Sequence, residues 1–275
     1  MYKIENLSFK YEKDKYALKD INMDFSKGDI IGVIGENGCG KSTLFMNMTG
    51  ILKPNSGEIR YNDEKIKYGK KDLYNLRKKV GIVFQDPEKQ IFYSKVYDDI
   101  AFTMRNIGMN EEDIKKRVEK ALEAVNGSEF IDKPVQFLSY GQKKRVAIAS
   151  VIAMQNETVL LDEPTSGLDP RSTDAVVDII KNMKKNGTKV VISSHDMDLI
   201  YEICDYVYVM NKGEIIKAGN PDDVFMDEKM IKNAGLKTPW IIKIYNELKN
   251  NELKNGETKE ETNLKTIKTK FAQYK

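Results

Sequence analysis

The stretch Gly35-Glu-Asn-Gly-Cys-Gly-Lys-Ser42 constrains the fold more than any other part of the chain. It fits the spacing G-x-x-x-x-G-K-[ST]. The phosphates of a nucleotide need many N–H donors converging on one point, and Gly35, Gly38 and Gly40 let the backbone curl tightly enough to supply them. Lys41 adds positive charge for the β- and γ-phosphates, and the Ser42 hydroxyl can ligate Mg²⁺. The preceding run Ile30–Ile34 reads as a buried strand, and Lys41–Thr49 reads as the first turns of a helix whose positive N-terminus points at the phosphates. Strand, glycine loop and helix in that order predict an α/β fold of the P-loop NTPase kind.

The rest of the chain extends this unit. Tyr2–Phe9 and Leu18–Phe25 alternate apolar and polar positions as strands do, and Glu58–Tyr61 follows a Pro-Asn-Ser-Gly turn as another strand. Together they predict an N-terminal antiparallel β part. Val80–Phe84 is a short apolar strand ending at Gln85. From Asp86 to about Gln155 the texture is helical. Asn110 caps one helix, with Glu111, Glu112 and Asp113 in its first turn and an apolar stripe Ile114, Val118, Ala121, Leu122 and Val125. A second helix begins near Gly141. The α/β alternation then resumes with strands Thr158–Leu161 and Lys189–Ser193 and helices Arg171–Lys185 and Asp196–Ile203, which implies a mostly parallel core sheet. Tyr206–Met210 and Glu214–Lys217 form a hairpin around Asn211-Lys212-Gly213.

These spans predict one nucleotide-binding domain over residues 1–220, with a helical subdomain inserted at about 86–155, and a small C-terminal extension over 221–275. In the extension, Thr238 reads as an N-cap with Pro239 at the first helical position. Trp240, Ile241, Ile244, Tyr245 and Leu248 share one face of that helix, which either packs on the chain's own domain or meets a partner. From Lys249 onward the Lys-, Asn-, Glu- and Thr-rich composition reads as a frayed or disordered tail.

Further candidate site residues stand at strand ends. The strand before Asp162 and Glu163 is apolar, so two carboxylates close it. Beside a phosphate loop, the first would hold the Mg²⁺ shell and the second would act as general base on the attacking water. Gln85 ends its own strand and could reach the metal. His195, the only histidine, follows a neighbouring strand and could hydrogen-bond the γ-phosphate. In isolation, strand-end Gln and His are better explained by structural roles, but the position of His195 parallel to Glu163, at the end of a neighbouring strand, favours the catalytic reading for it. Leu138-Ser139-Tyr140-Gly141-Gln142 precedes a helix. Its Ser139 and Gly141 donors make either an anion site or an ordinary capped helix start.

Composition excludes several classes. The 275 residues hold one sizeable domain with an appendage, or two small ones, and 40% hydrophobic with 32% charged residues is a soluble globular balance. A net charge of +3 gives no electrostatic case for nucleic acid. Apolar runs such as Tyr206–Met210 are too short to span a bilayer, and the first residues offer no apolar signal core. A cytosolic chain is expected, with any membrane role supplied through a partner. Cys39 and Cys204 are too few for a disulfide framework and suit a reducing compartment.

Taken together, residues 1 to about 220 resemble the ABC-type ATPases. Gly35–Ser42 looks like their Walker A loop, Gln85 their Q-loop glutamine and Leu138–Gln142 their signature motif, with Tyr140 where that motif usually has Gly. Thr158–Glu163 looks like Walker B, Ser166–Asp169 the D-loop, His195 the switch histidine and Tyr11 the aromatic that stacks on adenine. The resemblance implies ATP hydrolysis to ADP and phosphate, with ATP and Mg²⁺ as ligands. It implies nucleotide contacts from Tyr11, Gly35, Glu36, Asn37, Gly38, Cys39, Gly40, Lys41, Ser42, Thr43, Gln85, Ser139, Gly141, Gln142 and His195. Glu163, His195 and Lys41 would be catalytic, and Ser42, Gln85 and Asp162 would serve the metal. It further implies two such ATPase subunits, identical or related, meeting head to tail, so that each ATP lies between the Walker A loop of one and the signature of the other. Thiol alkylation at Cys39 is then expected to block ATP sterically. Gln85–Phe92, Val96–Phe102 and Gln142–Ala149 are similar to the ATPases of energy-coupling factor importers for cobalt, nickel or vitamins. That similarity implies a transmembrane coupling component, a substrate-binding membrane component, and a place on the cytoplasmic face of the membrane. Asp98 and Asp99 then read either as acidic partners for arginines of the coupling helices or as a solvated helix start. Other ABC transporters remain an alternative; a soluble ABC protein acting on ribosomes or DNA usually has two ATPase domains or a long coiled-coil insert, and this chain has neither.

Overall fold

Continuous apolar runs make strands buried on both faces, and alternating runs make strands with one wet face. Both kinds are present, and they sort into two sheets. The computed structural model describes residues 1–12 and 15–255, together with Leu264, Ile267 and Thr269. Strands β1 (Tyr2–Glu12), β2 (Lys15–Asp24) and β3 (Ile30–Ile34) lead into helix α1 (Lys41–Met48). Next come β4 (Ser56–Tyr61), β5 (Glu64–Lys65), α2 (Lys70–Lys79) and β6 (Val80–Val83), then three helices, α3 (Val96–Asn106), α4 (Glu111–Ala124) and α5 (Tyr140–Met154). The alternation returns with β7 (Thr158–Asp162), α6 (Pro170–Lys185), β8 (Lys189–Ser194), α7 (Met197–Ile203), β9 (Tyr206–Asn211) and β10 (Glu214–Gly219). Three helices follow, α8 (Pro221–Phe225), α9 (Glu228–Asn233) and α10 (Trp240–Asn255).

The first sheet is antiparallel, in the order β2-β1-β4-β5. The second runs β10-β9-β3-β8-β7-β6 and is parallel except for β10, which pairs antiparallel with β9. The β9–β10 turn uses Lys212 and Gly213 at φ of 48° and 83°, matching the strand twist. Because side chains alternate along a strand, β3 feeds two cores. Ile31 and Val33 join α1 and the antiparallel sheet, while Ile30 and Ile34 face the other helices.

The parallel sheet decides where the site lies. Its strands share one carboxyl edge, with Ile34 beside Ser194, Asp162 beside Ser193 and Val83 beside Leu161. The segments leaving that edge carry the glycine loop, His195, Glu163 and Gln85. Open α/β sheets bind ligands at this edge.

The helical segment forms as its capping and stripe predict. The Asn110 side chain accepts from the Asp113 N–H at 2.9 Å, and Ile114, Val118, Ala121 and Leu122 are buried against α3 and α5. Elsewhere the structure departs from the expectations. Helix α2 was not anticipated, because Leu76 is its only buried residue and the rest is mostly charged. Helices α8 and α9 are also additional; Val224, Phe225, Ile231 and Ala234 bury them in the main core. Helix α10 starts one residue later than expected, with the Pro239 carbonyl accepting from the Lys243 N–H at 3.1 Å. It continues through Lys249 to Asn255, where a frayed tail was expected; the remainder of that expected tail lies outside the described residues apart from the three named above. Ile242 anchors α10, while Trp240 is 67% and Leu248 43% exposed, so the expected apolar stripe is only partly covered. No helix among the described residues is long and apolar enough to cross a membrane.

Candidate active site

The glycine loop leaves β3 and turns into α1 at Gly40, whose φ of 114° is a left-handed conformation that side-chain-bearing residues rarely adopt. A Cβ there would also stand 2.7 Å from the Ala17 carbonyl oxygen. No side chain caps α1, so the loop leaves that N-terminus open toward the adjoining cavity. Lys41 is 6% exposed. Its ammonium donates to the carbonyls of Gly35 at 2.8 Å and Glu36 at 3.2 Å, and stands 3.9 Å from Glu163 Oε1.

A cavity of about 960 Å³ opens over this loop. It is lined by Tyr11, Asn37, Gly38, Gly40, Lys41, Ser42, Thr43, Gln85, Asp162 and Glu163. Glu12 from β1, Lys15, Tyr16 and Ala17 from β2 and Lys212 and Gly213 from the β9–β10 turn complete the wall, and sequence reasoning missed them. The two lysines bring positive charge, yet nothing in their local sequence marks them; only the packing of the two sheets brings them to the loop. The Tyr11 ring packs edge to face on Phe9 at 5.0 Å, and its hydroxyl shares a 3.1 Å hydrogen bond with Thr43 Oγ1.

Asp162 and Glu163 are both buried although charged groups are costly to bury. Their surroundings account for it. Asp162 Oδ1 accepts from the Ser193 hydroxyl. Glu163 adopts a φ of 47°, a strained value for a residue with a Cβ. Its N–H holds that turn by donating to Ser193 Oγ at 3.0 Å and to the Ser193 carbonyl at 3.2 Å. Glu163 Oε2 pairs with His195 Nδ1 at 2.7 Å and accepts from the His195 N–H at 3.3 Å. Glu163 Oε1, buried and without a hydrogen-bond partner among the described residues, is the oxygen nearest Lys41. A carboxylate held by one oxygen with the other unsatisfied can accept a proton there.

Four of the expected contact residues do not line this cavity. Cys39 does not line the cavity; its thiol is buried in the core between the sheets, and burial pushes its pKa up. The expected alkylation block is therefore opposed by both access and thiolate supply. Gly35 and Glu36 also lie off the cavity wall, because their carbonyls turn back to hold the Lys41 ammonium. His195 is reached through Glu163 rather than through the cavity wall, and its ring is largely exposed.

Ser139, Gly141 and Gln142 are likewise not in this cavity. They form the start of α5. Ser139 Oγ accepts from the Gln142 N–H at 3.3 Å while Gln142 Oε1 accepts from the Ser139 N–H at 2.9 Å, a reciprocal capping box. The Tyr140 hydroxyl donates to the Gln85 carbonyl at 3.2 Å. Lys144, one turn further on, is fully buried, and burial pushes its ammonium down to about 8 against the pull of Asp162, Asp86 and Glu163. It donates to the Gln85 carbonyl and lies 3.5 Å from the Glu163 carbonyl. Asp98 and Asp99 find partners within the chain. Asp98 pairs with Arg105 at 3.0 Å, and Asp99 accepts from the N–H groups of Phe92 and Tyr93 at 3.1 and 3.2 Å.

A glycine loop at a helix start, a buried lysine, and two carboxylates at the end of a neighbouring parallel strand define a nucleoside triphosphatase of the phosphate-loop class. The profile of the ABC transporter family matches residues 18–166, and the chain belongs to that family. The cobalt import ATP-binding protein CbiO of Salmonella typhimurium is 46% identical over 248 residues, which are 90% of this chain and 91% of that protein. The energy-coupling factor transporter ATP-binding protein EcfA of Methanocaldococcus jannaschii is 46% identical over 241 residues, 87% of this chain and 86% of that one. The solved structure of CbiO1 from Clostridium perfringens, described as part of the ABC transporter complex CbiONQ, is 42% identical. It superposes with a TM-score of 0.76 over 88% of this chain and 97% of its own.

Proposed function

We propose that this chain is the ATP-hydrolysing subunit of an energy-coupling factor importer, bound peripherally at the cytoplasmic face of the membrane. Its cargo would be a transition-metal ion, cobalt or nickel, or a vitamin. The similarity to cobalt-import and energy-coupling factor ATPases over nearly their whole length supports the transport class. The observation that carries the chemistry is the Glu163 carboxylate, anchored through Oε2 by His195, with Oε1 free beside Lys41.

ATP enters over α1. Its β- and γ-phosphates take the Lys41 ammonium from the Gly35 and Glu36 carbonyls and accept from the open N–H groups of the glycine loop. Tyr11 offers its exposed ring to the adenine. The oxygen donors Ser42, Gln85 and Asp162 line one cavity and suit Mg²⁺, which takes few protein ligands and shares phosphate oxygens. Bound there, the ion would neutralise phosphate charge. Glu163 Oε1 takes the proton of the attacking water, and His195 keeps the carboxylate aimed. Ser139 and Gly141 act on the ATP of a second ATPase subunit, a copy or a related chain, since they do not share a cavity with their own glycine loop. The membrane components take up the cargo and receive the closing motion.

Affinity purification of the tagged chain from detergent-solubilised membranes tests this reading. A polytopic membrane protein together with a small substrate-binding membrane protein should co-elute. Ribosomes or nucleic acid alone would overturn it.

A further inference from the structure

Helix α5 starts at the loop that carries Ser139 and Gly141, and its second turn places Lys144 against the parallel sheet with no exposed surface. Burying an ammonium is costly unless hydrogen bonds replace its water. The acceptors of Lys144 are two backbone carbonyls, those of Gln85 and Glu163. The Gln85 carbonyl also accepts from the Tyr140 hydroxyl, four residues earlier on the same helix face, and the Lys144 ammonium lies 5.9 Å from the Tyr140 ring centre. The Tyr140 ring lies against Gly167, where a Cβ would stand 3.3 Å from Tyr140 Cε1. A residue needed only to fill this space would need no charge, whose burial is costly. The two carbonyls belong to the segments that carry Gln85 and Glu163 toward the cavity of this chain. The helix holding them belongs to the loop that is offered to the other subunit.

We infer that Lys144 is a positioning residue for ATP hydrolysis: with Tyr140 it ties Gln85 and Glu163, which serve this chain's own ATP, to the Ser139–Gly141 loop, which serves the partner's. The inference rests on the proposed function above. A shift of α5 on meeting the partner's nucleotide is passed to Gln85 and Glu163 through hydrogen bonds within one chain. Glu163 is sensitive to such a shift because its turn is already held at a positive φ. Tyr140, the residue that departs from the usual signature, supplies one of these bonds.

The test measures kcat, KM and thermal melting for Lys144→Met, Lys144→Gln and Tyr140→Phe in the assembled transporter. Lys144→Met should lower kcat about 10-fold with KM changed by less than about 2-fold, the pattern of a group that acts only in the transition state. Because the variant removes a buried charge but unpairs two carbonyls, its melting temperature should fall by no more than a few degrees. Lys144→Gln, which keeps one donor, should recover part of kcat. Tyr140→Phe should lower kcat about 3-fold, as loss of one neutral hydrogen bond would. Unchanged kcat in Lys144→Met would overturn the inference, as would a kcat loss that Lys144→Gln does not recover at all. If Lys144→Met does not fold, Tyr140→Phe decides, since its hydroxyl is at the surface of α5 and its loss leaves the core intact. A wild-type assembly that does not hydrolyse ATP would overturn the functional reading itself; an active wild type with fully active variants overturns this inference alone.

Discussion

Helices α1 and α5 both begin at a loop of the kind that binds anions, yet they are finished in opposite ways. The start of α1 has a glycine with no side chain to cap it, and the nearest lysine is parked on two carbonyls. The start of α5 is closed on itself by the Ser139–Gln142 capping box. One loop is open toward a cavity of its own chain; the other is closed by its own side chains. The difference teaches that a motif's residues do not reveal which site they serve. The neighbours do: Asp162, Glu163 and Gln85 stand around α1, whereas Ser139 and Gly141 do not line that cavity.

The largest expected effect lies on the α1 side. Glu163→Gln keeps the shape of the site and removes the proton acceptor, so phosphate release should fall by about 10²–10⁴-fold while ATP still binds. Turnover at the wild-type rate would remove Glu163 as the base. Next is Gly40→Ala. Forcing a Cβ into a φ of 114° costs about 1–2 kcal/mol from the conformation alone, before the crowding against Ala17, so melting should drop measurably. An unchanged melting curve would mean that the loop tolerates another path. Ser139→Ala loses the α5 cap and should destabilise the chain by about 1 kcal/mol in denaturant unfolding. A neutral result would show that the capping box is not what holds α5 closed. The smallest effect concerns Cys39. Because burial raises its pKa and hides the sulfur, iodoacetamide at pH 8 should label it much more slowly in the folded protein than in urea. Equal labelling rates would show that the folded chain leaves the thiol accessible.

How far these features can be read from sequence follows from how local they are. The glycine loop, Asp162 and Glu163 each sit on one short stretch next to an apolar strand, so pattern alone finds them. Lys15, Tyr16 and Lys212 reach the cavity only because the antiparallel sheet and the β9–β10 turn fold over the loop. No periodicity records that. Lys144 stands in sequence between Lys143 and Arg145 with nothing to set it apart, and its burial depends on the Gln85 and Glu163 segments arriving beneath α5. Helix α2 escaped notice for the opposite reason: with Leu76 as its one buried residue, it lacks the apolar stripe that announces a helix. In α10 the helix was legible but its buried face was not: the anchor, Ile242, lies off the expected stripe of Trp240, Ile241, Ile244, Tyr245 and Leu248, and the core it met made that choice.

The division of labour between α1 and α5 is most directly tested by the ATP dissociation constant of the isolated chain, measured by calorimetry at concentrations where it is monomeric. Lys41→Ala and Ser139→Ala are compared with the wild type. Losing a charged hydrogen bond to phosphate at α1 should weaken binding by about 10-fold or more, and losing the α5 cap should leave it within about 2-fold. Equal losses in the two variants would contradict the division and place both loops on one ATP within a single chain.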